Sequence, residues 1–249
     1  MHPLSAWELL DVWERGLAQP PVQRVLTLLA AADPEAPPDA LAALSIGQRD
    51  ARLLTLREWT FGPQLVSLAT CPGCSERLEL TFNVADIRVP SPSQGEGWEG
   101  VETLSLSAAS HEVRFRLPNS LDLAAIAEHE DVTATRRLLL ERCLLGAQHD
   151  GEEVALDQLP DGVIDALVKR MGQADPQADV QLDLSCPACG HQWQAAFDIA
   201  SFFWSEINAW AYRILREVYI LASAYGWREA DILAMSPWRR QLYLEMVSA

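Results

Sequence analysis

Cys71-Pro72-Gly73-Cys74 and Cys186-Pro187-Ala188-Cys189 decide how this chain is read. They are two copies of one Cys-Pro-x-Cys turn, more than a hundred residues apart, and they use four of the five cysteines. Two thiolates separated by two residues on a tight turn grip one side of a tetrahedral ion. Two such turns supply four ligands and leave no open coordination position. The proline after each first cysteine and the small residue before each second one suit a tight turn. Gly190, directly after Cys189, can take a positive φ and turn its amide toward sulfur. Ser75 holds that place in the first copy and departs from the pattern. The expectation is one structural Zn²⁺ held by Cys71, Cys74, Cys186 and Cys189. A thioredoxin-type redox site would need the pair to open a helix after a strand, and neither pair does so.

Outward from each turn the apolar pattern has period two. Leu65–Thr70 runs into the first turn and Leu78–Val84 leaves it; Val180–Ser185 and Gln192–Phe197 flank the second. Strand, knuckle, strand, repeated, predicts a zinc ribbon of two hairpins. The residues between them form an insertion. Pro90–Gly97 reads as an approach loop, Leu104–Leu106 and Val113–Leu117 as a further hairpin, and Leu121–Glu128, Val132–Leu145 and Pro160–Met171 as helices.

Both ends read as helical. Trp7, Leu9, Leu10, Trp13 and Leu17 have helical spacing until Pro20-Pro21; Val22–Ala32 is a second helix, and Asp33–Asp39 a loop. Ser45 with Gln48 forms a capping box for a helix ending near Gly62-Pro63. After the second hairpin, Phe202, Phe203, Ile207, Trp210, Ile214, Val218 and Leu221 make a broad apolar face. Gly226 stops that helix, and Ser236-Pro237 opens the last one. The predicted fold class is α+β, divided as helical residues 1–62, first hairpin 63–90, inserted α/β module 91–178, second hairpin 179–200 and helical residues 201–249.

A chain of 249 residues can bury a sizeable core, and 49% hydrophobic residues mark it as globular. Its formal net charge is −16, from 35 acidic and 19 basic residues. That balance opposes nonspecific nucleic-acid binding and attachment to anionic membranes. No apolar run is long enough to span a bilayer, and the first residues lack a secretory pattern. A cytoplasmic location follows as the expectation. A reducing compartment favours metal over disulfide for the paired cysteines.

The remaining chemistry-bearing residues have plainer readings. Cys143, inside Leu138–Leu145, reads as a packed core thiol. His191 follows the second knuckle, where four cysteines already complete the site; His111, His129 and His149 receive no role. Glu128-His129-Glu130-Asp131 is a solvated junction lacking the loop spacing of an oxygen-ligand site. No HExxH, GxSxG, P-loop or GxGxxG pattern occurs, so the expectation is not an enzyme. Nine tryptophans are present. For Trp7 with Trp13, and Trp204 with Trp210, core packing and partner docking both stay open. Arg239 and Arg240 could meet acidic partners or stand as a solvated helix face.

Three blocks resemble the T4-type bacteriophage baseplate protein family, whose relatives accompany contractile injection systems. The first is Ile46-Gly47-Gln48-Arg49-Asp50, with Leu54, Leu56-Arg57 and Phe61-Gly62, leading into Cys71–Cys74. Next come Phe115-Arg116-Leu117-Pro118-Asn119 and Asp122-Leu123. The third runs from Cys186–His191 through Phe202-Phe203 to Arg216–Tyr219, Tyr225–Leu233, Arg239-Arg240 and Tyr243-Leu244. The resemblance covers most of residues 45–249 and leaves out the Trp-rich first forty. It implies a non-enzymatic component or assembly factor of a contractile tail baseplate. Its partners would be other baseplate or hub proteins, with no nucleic acid, membrane or small-molecule substrate. A zinc-ribbon adaptor in transcription or translation is the alternative, opposed by the charge. An enzyme using the insertion as a cap, through Glu128 or Asp131, ranks below it. Metal removal is expected to unfold the protein.

Overall fold

The computed structural model describes residues 1–89 and 103–248, so the approach loop at 90–97 and Trp98 lie outside the described residues. In chain order the helices are α1 (Ala6–Gly16), α2 (Pro21–Ala32), α3 (Pro38–Ala43), α4 (Ile46–Phe61), α5 (Val84–Ile87), α6 (Ser120–Ile126), α7 (Val132–Cys143), α8 (Asp161–Ala174), α9 (Ile199–Tyr225), α10 (Glu229–Leu233) and α11 (Pro237–Ser248). The strands are β1 (Gln64–Thr70), β2 (Arg77–Asn83), β3 (Leu104–Ala108), β4 (His111–Phe115), β5 (Leu144–His149), β6 (Glu152–Glu153), β7 (Val180–Ser185) and β8 (Gln192–Phe197). This is a mixed α and β chain of many helices and small antiparallel sheets. It forms two compact units, Met1–Glu35 with Ile199–Ala249, and Ala36–Asp198.

The first unit packs α1, α2, α10 and α11 around α9. Ser5 caps α1 in a reciprocal box with Glu8, satisfying amides that helix geometry leaves without partners. Ile207, Ala211, Ile214, Val218 and Leu221 recur at helical spacing and are the buried side of α9. Trp13 is buried and its indole N–H donates to Asn208 Oδ1 at 3.0 Å. The rim of Trp204 lies over Gly16, where a Cβ would stand 2.2 Å from it, and Arg24 covers its ring. These tryptophans therefore pack inside the unit, whereas Trp7 is exposed. Arg240 does not face solvent. It is buried, with its guanidinium 2.7 Å from Glu217 and a second N–H on the Met235 carbonyl.

In the second unit, β1–β2 and β7–β8 are two-stranded hairpins on either side, in sequence, of a four-stranded sheet ordered β3-β4-β5-β6. Helices α7 and α8 cover that sheet. Val113, Phe115, Leu140, Cys143, Ala147, Val163 and Leu167 form the centre of its core. Asp122, fully buried, accepts from Arg116 Nη2 and Arg142 Nε at 2.8 Å each, tying the end of β4 and the end of α7 to α6.

The expected loop at Asp33–Asp39 gives way to α3 from Pro38, Val84 opens α5 instead of closing a strand, and the largest departure is at the end of α7. The apolar run Leu138–Leu145 reads as helix to its end, but α7 stops at Cys143 and Leu144 begins β5. The free edge of β4 takes it in antiparallel register, Val113 opposite Ala147 and Glu112 opposite Gln148. No helix-stop residue marks this switch; pairing with an edge outweighs local propensity. His111 and His149 thus lie in neighbouring strands, and their rings stack at 4.2 Å.

Candidate metal centre

The two hairpins meet at both ends. At their base Phe82 and Phe197 touch edge to face, ring centres 5.5 Å apart. At their tips the four cysteines converge, every sulfur within 4.8 Å of every other. Sγ of Cys71 lies 3.7 Å from Sγ of Cys189, and Sγ of Cys74 lies 3.6 Å from Sγ of Cys186. Four sulfurs about 2.3 Å from a tetrahedral zinc stand about 3.8 Å from one another. The donor set therefore fits that ion in element, number and separation. The distances far exceed a disulfide bond of about 2.05 Å, and all five cysteines are free thiols. Among the described residues no other group of three or more His, Cys, Asp or Glu converges in this way, and His191 is not in the cluster.

The knuckles repeat each other atom for atom in the backbone. Cys71 N–H donates to the Glu76 carbonyl and Ser75 N–H to the Cys71 carbonyl, both at 2.9 Å. Correspondingly, Cys186 N–H donates to His191 at 2.8 Å and Gly190 N–H to Cys186 at 2.9 Å. Residues Ser75 and Gly190 both take the left-handed conformation that this turn demands, at φ 62° and 72°. The first cysteine of each pair is buried and the second exposed. Gly73 is the place of closest approach: a Cβ there would stand 3.2 Å from Cγ of His191.

Electrostatics set the thiols apart. For Cys186, burial opposes ionisation, but the backbone amides of Cys189 and Ala188 and the thiols of Cys74 and Cys71 pull it down to about 7. Cys74 is pushed up to about 12, because Cys189, burial, Cys186 and Cys71 together outweigh the lowering contact from Glu76. Cys143 differs: burial, then Asp122, push it up to about 11 within the apolar core. It is an inert packing thiol.

The chain's other acidic candidates serve as structure. Asp131 caps α7 by accepting from Thr133 and Ala134, and Glu128 and Glu130 are exposed beside it. The polar network around α4 escaped sequence reasoning. Asp175 Oδ2 accepts the Gly47 N–H at 2.8 Å, at the positive end of α4. A Cβ on Gly47 would lie 2.0 Å from Asp175 Oδ1, so only glycine admits the carboxylate. Arg49 and Asp50, also buried, pair at 2.7 Å.

A family model described as T4 bacteriophage base plate protein matches residues 25–204. The chain belongs to this family. No curated protein and no solved structure matches it. The base plate match spans both knuckles, the α4 network and the Asp122 cluster. It starts inside α2 and ends inside α9, so it takes in part of the N-terminal helices and stops short of the tail block at 216–244. The family blocks near 46 and 115–123 correspond to buried polar contacts: Gly47 on Asp175, Arg49 on Asp50, and Asn119, which caps α6 with Asp122. No helix among the described residues is long and apolar enough to cross a membrane.

Proposed function

We propose that this chain is a non-enzymatic structural component or assembly factor of a contractile tail baseplate, in a phage or a phage-tail-like injection particle. One Zn²⁺ on Cys71, Cys74, Cys186 and Cys189 stabilises it as a zinc ribbon with the 91–178 module inserted, and it acts by docking onto other baseplate or hub proteins. The observation that carries this reading is the base plate family match over 25–204, which contains all four converging cysteines. A four-sulfur site has no open position for substrate or water, which supports a structural and not a catalytic role for the metal.

The test is assembly in the producing cell. Replacing the gene by a Cys71→Ser/Cys186→Ser variant is expected to leave tubes and sheaths without attached baseplates in electron micrographs. Particles of normal form and number from that variant, with the variant protein shown to lack zinc, would overturn the reading.

A further inference from the structure

The solvent side of α9 is rich in tyrosine and arginine; Tyr212 also leans edge to face on Trp13, ring centres 5.5 Å apart, whereas Tyr219 projects freely. Tyr212, Arg216 and Tyr219 fall at i, i+4 and i+7, on one face. Tyr212 is 63% exposed and Tyr219 72%. Beside them Arg213, Arg216 and Ile220 border a groove of about 260 Å³ whose other wall is α11, through Gln241, Leu244 and Glu245. Trp238, at the start of α11, is 74% exposed.

The charges in this groove are unequal in status. Glu217 is already engaged by Arg240 at 2.7 Å, and Glu245 accepts from Gln241 at 3.3 Å. Arg213 and Arg216 have no ion pair or hydrogen bond among the described residues; with Glu217 paired to Arg240, these two cations face only the carboxylate of Glu245, and the groove is net positive by one. Tyr, Trp and Arg are the residue types that dominate binding hot spots. Ile220 and Leu244 give the groove an apolar lining between two helices, the setting in which an amphipathic helix lays its apolar face.

We infer that the α9–α11 groove receives an acidic amphipathic helix of another baseplate protein. Its aliphatic side chains would lie on Ile220 and Leu244 and its carboxylates on Arg213 and Arg216, flanked by Tyr212 and Tyr219. From Tyr212 to Ile220 the rise is about 12 Å, a span of two turns. Nucleic acid fits poorly: the unit holding this groove has seven basic residues against ten acidic ones, far from a phosphate-binding footprint. The inference rests on the docking function proposed above and names where docking occurs.

The experiment uses the full-length zinc-loaded protein and a fluorescein-labelled 18-residue peptide. The peptide has leucine at helical spacing flanked by glutamates; a second peptide has lysine for every glutamate. Anisotropy should show the glutamate peptide binding at least tenfold tighter than the lysine peptide. Arg213→Glu/Arg216→Glu and Tyr219→Ala should each weaken it at least tenfold, and Arg136→Glu, on an exposed helix of the other unit, should not. Equal affinity for both peptides, absence of binding, or indifference to the groove variants would overturn the inference. So would concentration-dependent self-association in sedimentation that Arg213→Glu/Arg216→Glu abolishes, which assigns the groove to a second copy. Binding of a 20-base-pair duplex that the same variant abolishes would assign it to nucleic acid and overturn it equally. Circular dichroism and zinc content of the groove variants, unchanged from wild type, separate this outcome from failure of the metal reading. Particle assembly by the Cys71→Ser/Cys186→Ser variant judges the baseplate reading independently.

Discussion

The knuckle hairpins and the α/β module belong to one compact unit, yet they differ sharply in how much they bury. On β1, β2, β7 and β8 Leu65 is the one residue fully buried; the rest alternate between half-buried and exposed. The module's ten-residue core includes Val113, Phe115, Cys143 and Leu167 with almost no exposure. An isolated two-stranded hairpin is marginal in water. The module has a buried core of its own, with Asp122 as a polar staple; the hairpins bury little, and in the reading proposed above a metal on the four sulfurs ties them.

The largest expected effect breaks this comparison in two. Native protein should carry about one zinc per chain, and its removal by a strong chelator withdraws a binding free energy of order 10 kcal/mol. Hydrogen exchange should then rise through β1, β2, β7 and β8, while amides of Val113, Phe115 and Ala147 stay protected for longer. Cys71→Ser and Cys74→Ser should act alike despite their different exposure, since each removes one of four ligands. Uniform exchange across the whole unit after chelation would show that the module depends on the clasp as well.

Second comes the staple. Asp122 is buried between Arg116 and Arg142, and burial, which would raise its pKa, is outweighed by Arg116, the Asn119 amide and Arg142, which hold it below the usual carboxylate range. Asp122→Asn leaves two guanidiniums partly uncompensated, a loss of about 3–5 kcal/mol for a buried pair. Urea unfolding at saturating zinc should show that loss with the metal stoichiometry unchanged. A drop in bound zinc would mean that the two fastenings are coupled.

Much of this contrast is legible in the residues. The Cys-Pro-x-Cys repeats, the period-two flanks and the Ser45–Gln48 box are local signals, and each lies where its pattern puts it. Asp175 on Gly47, Arg240 on Glu217 and the β5 edge pairing are not legible. Each joins groups between 23 and 128 residues apart, or turns on which strand edge lies open, and no short-range period encodes that. Gly47 in a capped helix is the one trace of such a contact, because glycine inside a helix costs stability unless something approaches it closely.

A third fastening, α4 against the segment before β7, has the opposite pH response to the staple. Burial pushes Asp50 up to about 6, against Arg49, with Asp198 and Asp175 adding to the rise. A raised folded-state pKa gives stability that is full below the unfolded value near 3.8 and is lost as pH rises through about 6, at most about 3 kcal/mol. Asp122, held low, contributes above about 3.8 and loses that contribution as pH falls further. Carboxyl ¹³C shifts should place the Asp50 midpoint near 6 and show Asp122 still ionised at pH 4. An Asp50 midpoint near 4 would return its burial to solvent.

The smallest effect lies inside the four-cysteine site, where the one left-handed residue of each knuckle is a serine in the first and a glycine in the second. Ser75 and Gly190 both hold positive φ and donate the same backbone bond to the first cysteine of their turn. A side chain in the left-handed region costs about 1 kcal/mol, and glycine avoids it. Ser75→Gly should therefore raise stability by up to about 1 kcal/mol, and Gly190→Ser should lower it by about the same. Nothing lies within 4 Å of where a Cβ on Gly190 would stand, so the loss there is purely conformational. The two midpoints in urea, moving in opposite directions with zinc retained, would establish that Ser75 and Gly190 occupy equivalent turn positions that differ in strain. If Ser75→Gly destabilises instead, its side chain does something in the first knuckle that the second does without, and the clasp is not symmetric in energy even where it is symmetric in backbone.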